Sequence, residues 1–308
     1  MAYRLERDES VIRGLKRVVR DEMKSAGTNL SGGRNRDEAI HGARKSIKKV
    51  RAILRLVSAE LGGAHERENA RLRDVARRLS EFRDVFAIIE TFDDLKKKYG
   101  DEAGDRLKSV RVALTKRRNQ TANSEDIATV LEEAASALRK ATKRVKAWPL
   151  QADGYAAIGP GLEATYRAGR RALARVRKDP RAQNYHQLRK RVKDHWYHLR
   201  LLEDLWTSVM SVTEKSLKDL ETWLGNDHNL VVLRARIVAE PAFYGKQKDI
   251  DLALDLIDRY QKELREQSLS LAERIFAEKP REFTRRMKHL WDTWRHEPKP
   301  PEESPASA

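Results

Sequence analysis

The chain contains no cysteine. That excludes a disulfide scaffold, a thiolate metal site and a cysteine nucleophile, and it fits a reducing compartment. Glycine and proline are scarce, at 15 and 9 of 308 residues, so few places can turn the chain sharply. Aromatic residues make up only 6%. No apolar run approaches the roughly 18 residues that a membrane-spanning helix needs. The opening MAYRLERDES carries acids early and no apolar stretch, so it does not read as a secretory signal. Few segments alternate apolar and polar residues with the period of a strand. Together these absences predict an all-α, cytoplasmic protein.

What is abundant is charge. Asp, Glu, Lys and Arg are 36% of the chain, and 64 Lys+Arg against 47 Asp+Glu leave a formal net charge of +17. Such a surplus favours anionic partners: nucleic acid, polyphosphate or an anionic membrane surface. It does not choose among them.

The charge is organised by a repeat. Residues 41–57 read HGARKSIKKVRAILRLV and residues 186–202 read HQLRKRVKDHWYHLRLL. His41 matches His186, Arg44 matches Arg189, Lys45 matches Lys190, Lys48 matches Lys193, Leu54 matches Leu199 and Arg55 matches Arg200, at a constant offset of 145. The same offset aligns Leu72 with Leu217, Asp74 with Asp219 and Leu79 with Leu224, and sets Arg83-Asp84 on His228-Asn229. A self-match of this length without a gap points to duplication of a whole module.

Apolar periodicity predicts helices over about 8–27, 36–60, 64–98, 103–119 and 125–146, then over about 161–178, 181–208, 211–238, 248–278 and 280–296. The turn-rich stretch 27–35 and the charge-poor segment 147–161, with Pro149, Gly154, Gly159, Pro160 and Gly161, read as breaks. The expected architecture is all-α: two pseudo-symmetric, two-fold related four-helix-type bundles with a basic central groove or pore. Residues 1–147 form one half, 148–161 a connector and 162–296 the other half. The tail 297–308 has almost nothing to bury and is expected to be disordered.

At about 100° per residue the signature helix sorts into two faces. Ile47, Val50, Leu54, Val57 and Leu61 form a core seam, and His41, Arg44, Lys45, Lys48, Arg51 and Arg55 form a separate cationic stripe. In the second copy Leu188, Val192, Leu199, Leu202 and Trp206 form the seam. His186, Arg189, Lys190, Lys193 and Arg200 form the stripe, with Tyr197 among them. Residues 41–57 hold no acid, although a solvated helix face ordinarily mixes signs. The counter-charge must come from elsewhere: acids on a neighbouring helix or a bound anion. Phosphate suits such a stripe, because Arg donates in a planar fork and Lys offers a compact charge.

With these residues in view, the chain resembles the CHAD family, named for a conserved histidine α-helical domain. The match rests on His41-x-x-Arg44-Lys45-x-x-Lys48 and His186-x-x-Arg189-Lys190-x-x-Lys193, on the opening Tyr3-Arg4-Leu5, and on the run GPGLEATYRAGRRALARVRKDP before the second histidine. The resemblance implies two four-helix-type bundles around a basic surface or pore. It also implies binding of inorganic polyphosphate and association with polyphosphate granules. It carries the binding role onto His41, Arg44, Lys45, Lys48, Arg51, Arg55, His186, Arg189, Lys190, Lys193 and Arg200, with Arg83 and His228 as pore-facing partners. Related domains often accompany a tunnel-type triphosphatase domain, for which this sequence shows no room, so a stand-alone protein is expected. The second copy departs from the first at Asp194, Trp196 and Tyr197, which puts equal contributions of the two halves in question.

Rival readings are weaker. An enzyme acting on phosphate needs a carboxylate or metal at the reacting group, and no Walker-type loop, HExxH motif or acidic cluster at metal spacing is present, so no catalytic residue and no cofactor are expected. Asp93-Asp94 and Glu132-Glu133 read as surface charges. His195 and His198 are three apart, but the signature histidines stand amid cations that repel a metal; a metal-binding or phosphate-accepting histidine domain is a lesser alternative. Non-specific nucleic-acid binding is compatible with the charge, although no reader motif occurs and the tryptophans fall mostly at core spacing. No helix pairs a basic face with exposed bulky apolar residues, as a membrane-surface helix would.

Overall fold

Apolar positions spaced three and four apart become helices along the whole chain in the computed structural model. It describes residues 3–32, 36–122 and 127–297, and the side chains of 81–85, 121 and 122 fall outside that description. The helices are α1 (Val11–Gly32), α2 (Arg36–Leu56), one-turn α3 (Ser58–Leu61), α4 (Gly63–Arg78), α5 (Ser80–Lys98), short α6 (Gly100–Ala103), α7 (Lys108–Ala122) and α8 (Ile127–Arg144). They continue with α9 (Tyr155–Lys178), α10 (Ala182–Leu201), α11 (Thr207–Ala239), short α12 (Pro241–Tyr244), α13 (Gln247–Ile275) and α14 (Pro280–His296). There is no strand among the described residues. None of their helices is long and apolar enough to cross a membrane. The expected disordered tail lies, from residue 298 onward, outside the described residues.

Helix boundaries follow local chemistry. The Ser10 side chain accepts the Arg13 N–H at 3.2 Å, satisfying one of the free donors at the start of α1. The helix then runs to Gly32 rather than stopping near residue 27, because Met23, Ala26 and Leu30 continue its buried stripe. The segment 147–161 is a break only in its first part. Helix α9 begins at Tyr155 and takes in Gly159, Pro160 and Gly161. A Cβ on Gly161 would stand 1.8 Å from the Leu56 carbonyl oxygen, so this glycine lets the α9 backbone lie directly on the end of α2. The turn-like composition of the segment reflects close packing rather than a turn.

The first seam is buried throughout: Ile47, Val50, Leu54, Val57 and Leu61. In the second copy Leu188, Val192, Leu199 and Leu202 are buried, but Trp206 is 52% exposed. Helix α10 ends at Leu201 and a 3-10 turn (Glu203–Leu205) follows, so Trp206 leaves the helical register that would have carried it inward. Tyr197, expected beside the cations, is buried instead. It stacks on Trp196 with ring centroids 5.0 Å apart and meets Tyr3 edge-on at 6.1 Å. Helix α10 is enclosed on nearly every side from Asp194 to Leu199, because α2, α9 and α11 all pack against it.

The apolar interior divides into two cores. The larger one draws on α1, α2, α8, α9, α10, α14 and the first part of α11, and the smaller on α5, α7, α12, α13 and the rest of α11. Each core takes residues from both sequence halves. Helix α11, with 33 residues and a length of about 50 Å at 1.5 Å per residue, passes through both. The sequence boundary at 148–161 is therefore crossed by packing on either side of it. The opening residues tie the signature helices together: Tyr3 donates to the Lys49 carbonyl at 3.2 Å, and the Leu5 N–H donates to the Leu201 carbonyl at 3.0 Å.

Candidate functional site

Helices α2 and α10, the two signature helices, pack against each other. A buried bond marks the contact: His198 Nε2–H donates to the Ala52 carbonyl at 2.8 Å. A carbonyl can only accept, so the bond fixes the tautomer. His195, one turn away, packs against Tyr166, Phe276 and Phe283. Burial pushes His195 down to about 3 and His198 to about 4, so both are neutral core groups. No three His, Asp or Glu side chains converge into a metal-sized cluster among the described residues.

The stripes meet in three groups. At the centre, Lys48 lies beside Lys193, Arg44 and Arg189. Burial, and then the repulsion of these cations, holds its ammonium well below the usual lysine range. Toward one end Lys45 has Lys49, Arg200 and Lys218 around it, and it is lowered by burial first and by those charges second. Toward the other, Lys190 is lowered by burial and then by Arg191, Arg51 and Arg55. Arg51, also disfavoured by burial and by Arg55, is pushed down to about 10. His186 faces His228 with ring centroids 4.3 Å apart; burial, then His228, Lys190 and Arg189, lower it to about 4. His41 is exposed on the first turns of α2. The side chain of Arg83 lies outside the described residues.

The expectation of an unpaired stripe holds in part and needs correction in part. Lys45, Lys48 and Lys190 make no ion pair among the described residues. The others are engaged. Arg44 Nη1 donates to the Ala76 carbonyl at 3.0 Å and also reaches Ser80 Oγ. Arg51 Nε donates to Asn69 Oδ1 at 2.9 Å. Arg55 pairs with Asp194 at 3.0 Å, and Arg191 pairs with the same carboxylate at 3.3 Å. Arg200 pairs with Glu214 at 2.8 Å, over the Trp196 ring. Arg189 and Lys193 both pair with Glu221, at 3.2 and 2.6 Å. Burial alone would raise the Glu221 carboxyl, but Lys193, Arg189 and Lys218 hold it far below the carboxylate range. Much of the counter-charge therefore comes from neighbouring helices.

These acids are what a reading of the signature helices misses. Aligning the copies position by position finds them. Glu221 falls on Ala76, Glu214 on Asn69 and Asp194 on Lys49. The difference also reaches the backbone. In the first copy the Ala76 carbonyl accepts from both Arg44 and Ser80 Oγ, at the place where α4 gives way to α5 around Leu79. In the second copy the Glu221 carboxylate takes the equivalent arginine, and α11 runs on unbroken. The first copy is thus interrupted near Leu79 and the second is continuous, where the sequence pattern predicts two alike.

The fold and this arrangement define an all-α protein whose two basic helices pack against each other. Residues 19–238 match the model of the CHAD domain, and the chain belongs to the CHAD domain family. A solved structure, the crystal structure of the CHAD domain from the plant Ricinus communis, aligns over 90% of this chain and 95% of that chain with a TM-score of 0.61. At 17% identity that likeness shows the fold. No curated protein matches the chain.

Proposed function

We propose that this protein binds inorganic polyphosphate without turning it over, through the cationic surface that α2 and α10 build together. The observation that carries the reading is the position of Lys48, half-buried among Lys193, Arg44 and Arg189. Cations gathered in this way repel one another and lose hydration, and a row of phosphates offsets both penalties at once. Lys45 and Lys190, also without an ion pair among the described residues, extend the row on either side. His186, neutral in the free protein with His228 stacked beside it, adds a donor that a bound anion favours in the charged form. The binding set is thus His41, Arg44, Lys45, Lys48, Arg51, Arg55, His186, Arg189, Lys190, Lys193, Arg200 and His228.

A non-catalytic role is supported by the state of the acids. Glu221, Glu214 and Asp194 are each engaged by guanidinium or ammonium groups, so these three carboxylates are held by cations rather than open to Mg²⁺ or water. Incubation with polyphosphate and Mg²⁺ is expected to release no phosphate. We further propose a cytoplasmic location on polyphosphate granules and no membrane partner.

The test is competition among long-chain polyphosphate, heparin and duplex DNA at about 0.15 M salt, where non-specific electrostatic binding is already weakened. Polyphosphate is expected to win per phosphate. If DNA competes equally well, the protein is a general polyanion binder and the specific reading falls.

A further inference from the structure

The two copies of the repeat differ in the charge beside their matched lysines. Lys48 and Lys193 are equivalent positions, and so are Ala76 and Glu221. Glu221 is 5% exposed and gathers three cations: Lys193 at 2.6 Å, Arg189 at 3.2 Å and Lys218 at 3.4 Å. A carboxylate receiving two ammonium groups and a guanidinium occupies the electrostatic role that a phosphate would otherwise fill. Lys48 has no such partner; Glu221 reaches it only as a weaker, longer-range attraction ranked behind three repelling cations.

We propose that Glu221 is the residue that sets how much of the basic surface a phosphate chain can use. Resting on the polyphosphate reading above, the inference is that Glu221 acts as an internal stand-in for one phosphate. It keeps Arg189, Lys193 and Lys218 occupied, so a chain docks chiefly on Lys45, Lys48 and Lys190. The surface is then an asymmetric site, and its affinity is tuned down from within the fold. Glu221 also keeps Arg189, Lys193 and Lys218 from facing one another unshielded in the unliganded protein, so its removal exchanges stability for binding strength.

The experiment compares wild type with Glu221→Gln and with Glu221→Ala, the residue found at the equivalent position in the first copy. Polyphosphate of defined length is titrated at several salt concentrations, and helicity and thermal unfolding are followed by circular dichroism. Both variants are expected to unfold at lower temperature. They should bind polyphosphate about tenfold more tightly. The salt dependence should steepen by about 2.1 in log–log slope, as the three freed cations each add about 0.7. In the double variant Glu221→Gln with Lys193→Gln most of that gain should disappear. Wild-type binding with equal affinity and slope in a folded Glu221 variant overturns the role of Glu221 and leaves the polyphosphate reading standing. No binding by wild type or by either variant overturns both.

Discussion

Lys48 of α2 and Lys193 of α10 stand at the same position of the repeat, and the fold sets them beside each other. One has a buried carboxylate at 2.6 Å, and the other has only cations as its nearest charges. The centre of the basic surface is therefore a point of stored repulsion on the Lys48 side.

That repulsion gives Lys48 opposite effects on stability and binding. Lys48→Gln is expected to stabilise the unliganded protein, on the order of 1 kcal/mol, because it removes a poorly solvated charge. It is expected to weaken polyphosphate binding about tenfold, the loss of one charge-assisted contact of roughly 1.4 kcal/mol. Thermal unfolding and a binding titration on the same sample check both signs. Arg189→Glu is a poor substitute as a probe, since it sets a second carboxylate against buried Glu221 and is expected to unfold the protein.

Binding should take up protons at alkaline pH. Burial and neighbouring cations lower Lys48, Lys45 and Lys190 from the usual lysine value of 10.5. A bound phosphate chain raises them again. Between the free and bound values each lysine gains a proton on binding, so calorimetry in buffers of different ionisation enthalpy should show net uptake. In the same range the unfolded chain binds more protons than the free folded protein, so the stability of the latter should rise with pH.

Acid should destabilise the larger core through its histidines. His195 and His198 sit near 3 and 4 in the folded protein, against 6.5 for an ordinary histidine. Between those limits the unfolded state takes up protons that the folded state refuses, so stability falls as pH drops below about 6.5. His195→Phe, placed among Tyr166, Phe276 and Phe283, is expected to reduce the slope of unfolding free energy against pH between 4 and 6.5. An unchanged slope would show that His195 does not carry it.

Gly161→Ala tests the contact between the sequence halves. Helix propensity alone would favour alanine by about 1 kcal/mol. The added methyl carbon would meet the Leu56 carbonyl oxygen at 1.8 Å, and rigid backbone on both sides cannot yield cheaply. Overpacking of this kind costs typically 1–3 kcal/mol, so a net loss of stability is expected in denaturant unfolding.

The helices themselves were legible because apolar spacing is a local property. Ile47, Val50, Leu54, Val57 and Leu61 all fall inside, as their period requires. Local spacing fails where a neighbouring helix decides the outcome. Gly159-Pro160-Gly161 looks like a turn until α2 is laid against it. Trp206 has core spacing but follows a helix that has already ended. Tyr197 lies toward the cationic stripe in sequence and is covered by Trp196 and Tyr3.

By itself the sequence determined an all-helical chain, its duplication at an offset of 145 and the cations each copy carries, because periodicity, repetition and charge are written along one dimension. Only the tertiary structure decided which cations keep their charge uncompensated. Glu221, Glu214 and Asp194 reach the stripe from residues distant in sequence or across the helix contact. The strength of an ion pair depends on separation and burial in space, and neither quantity is set by a residue's place in the chain.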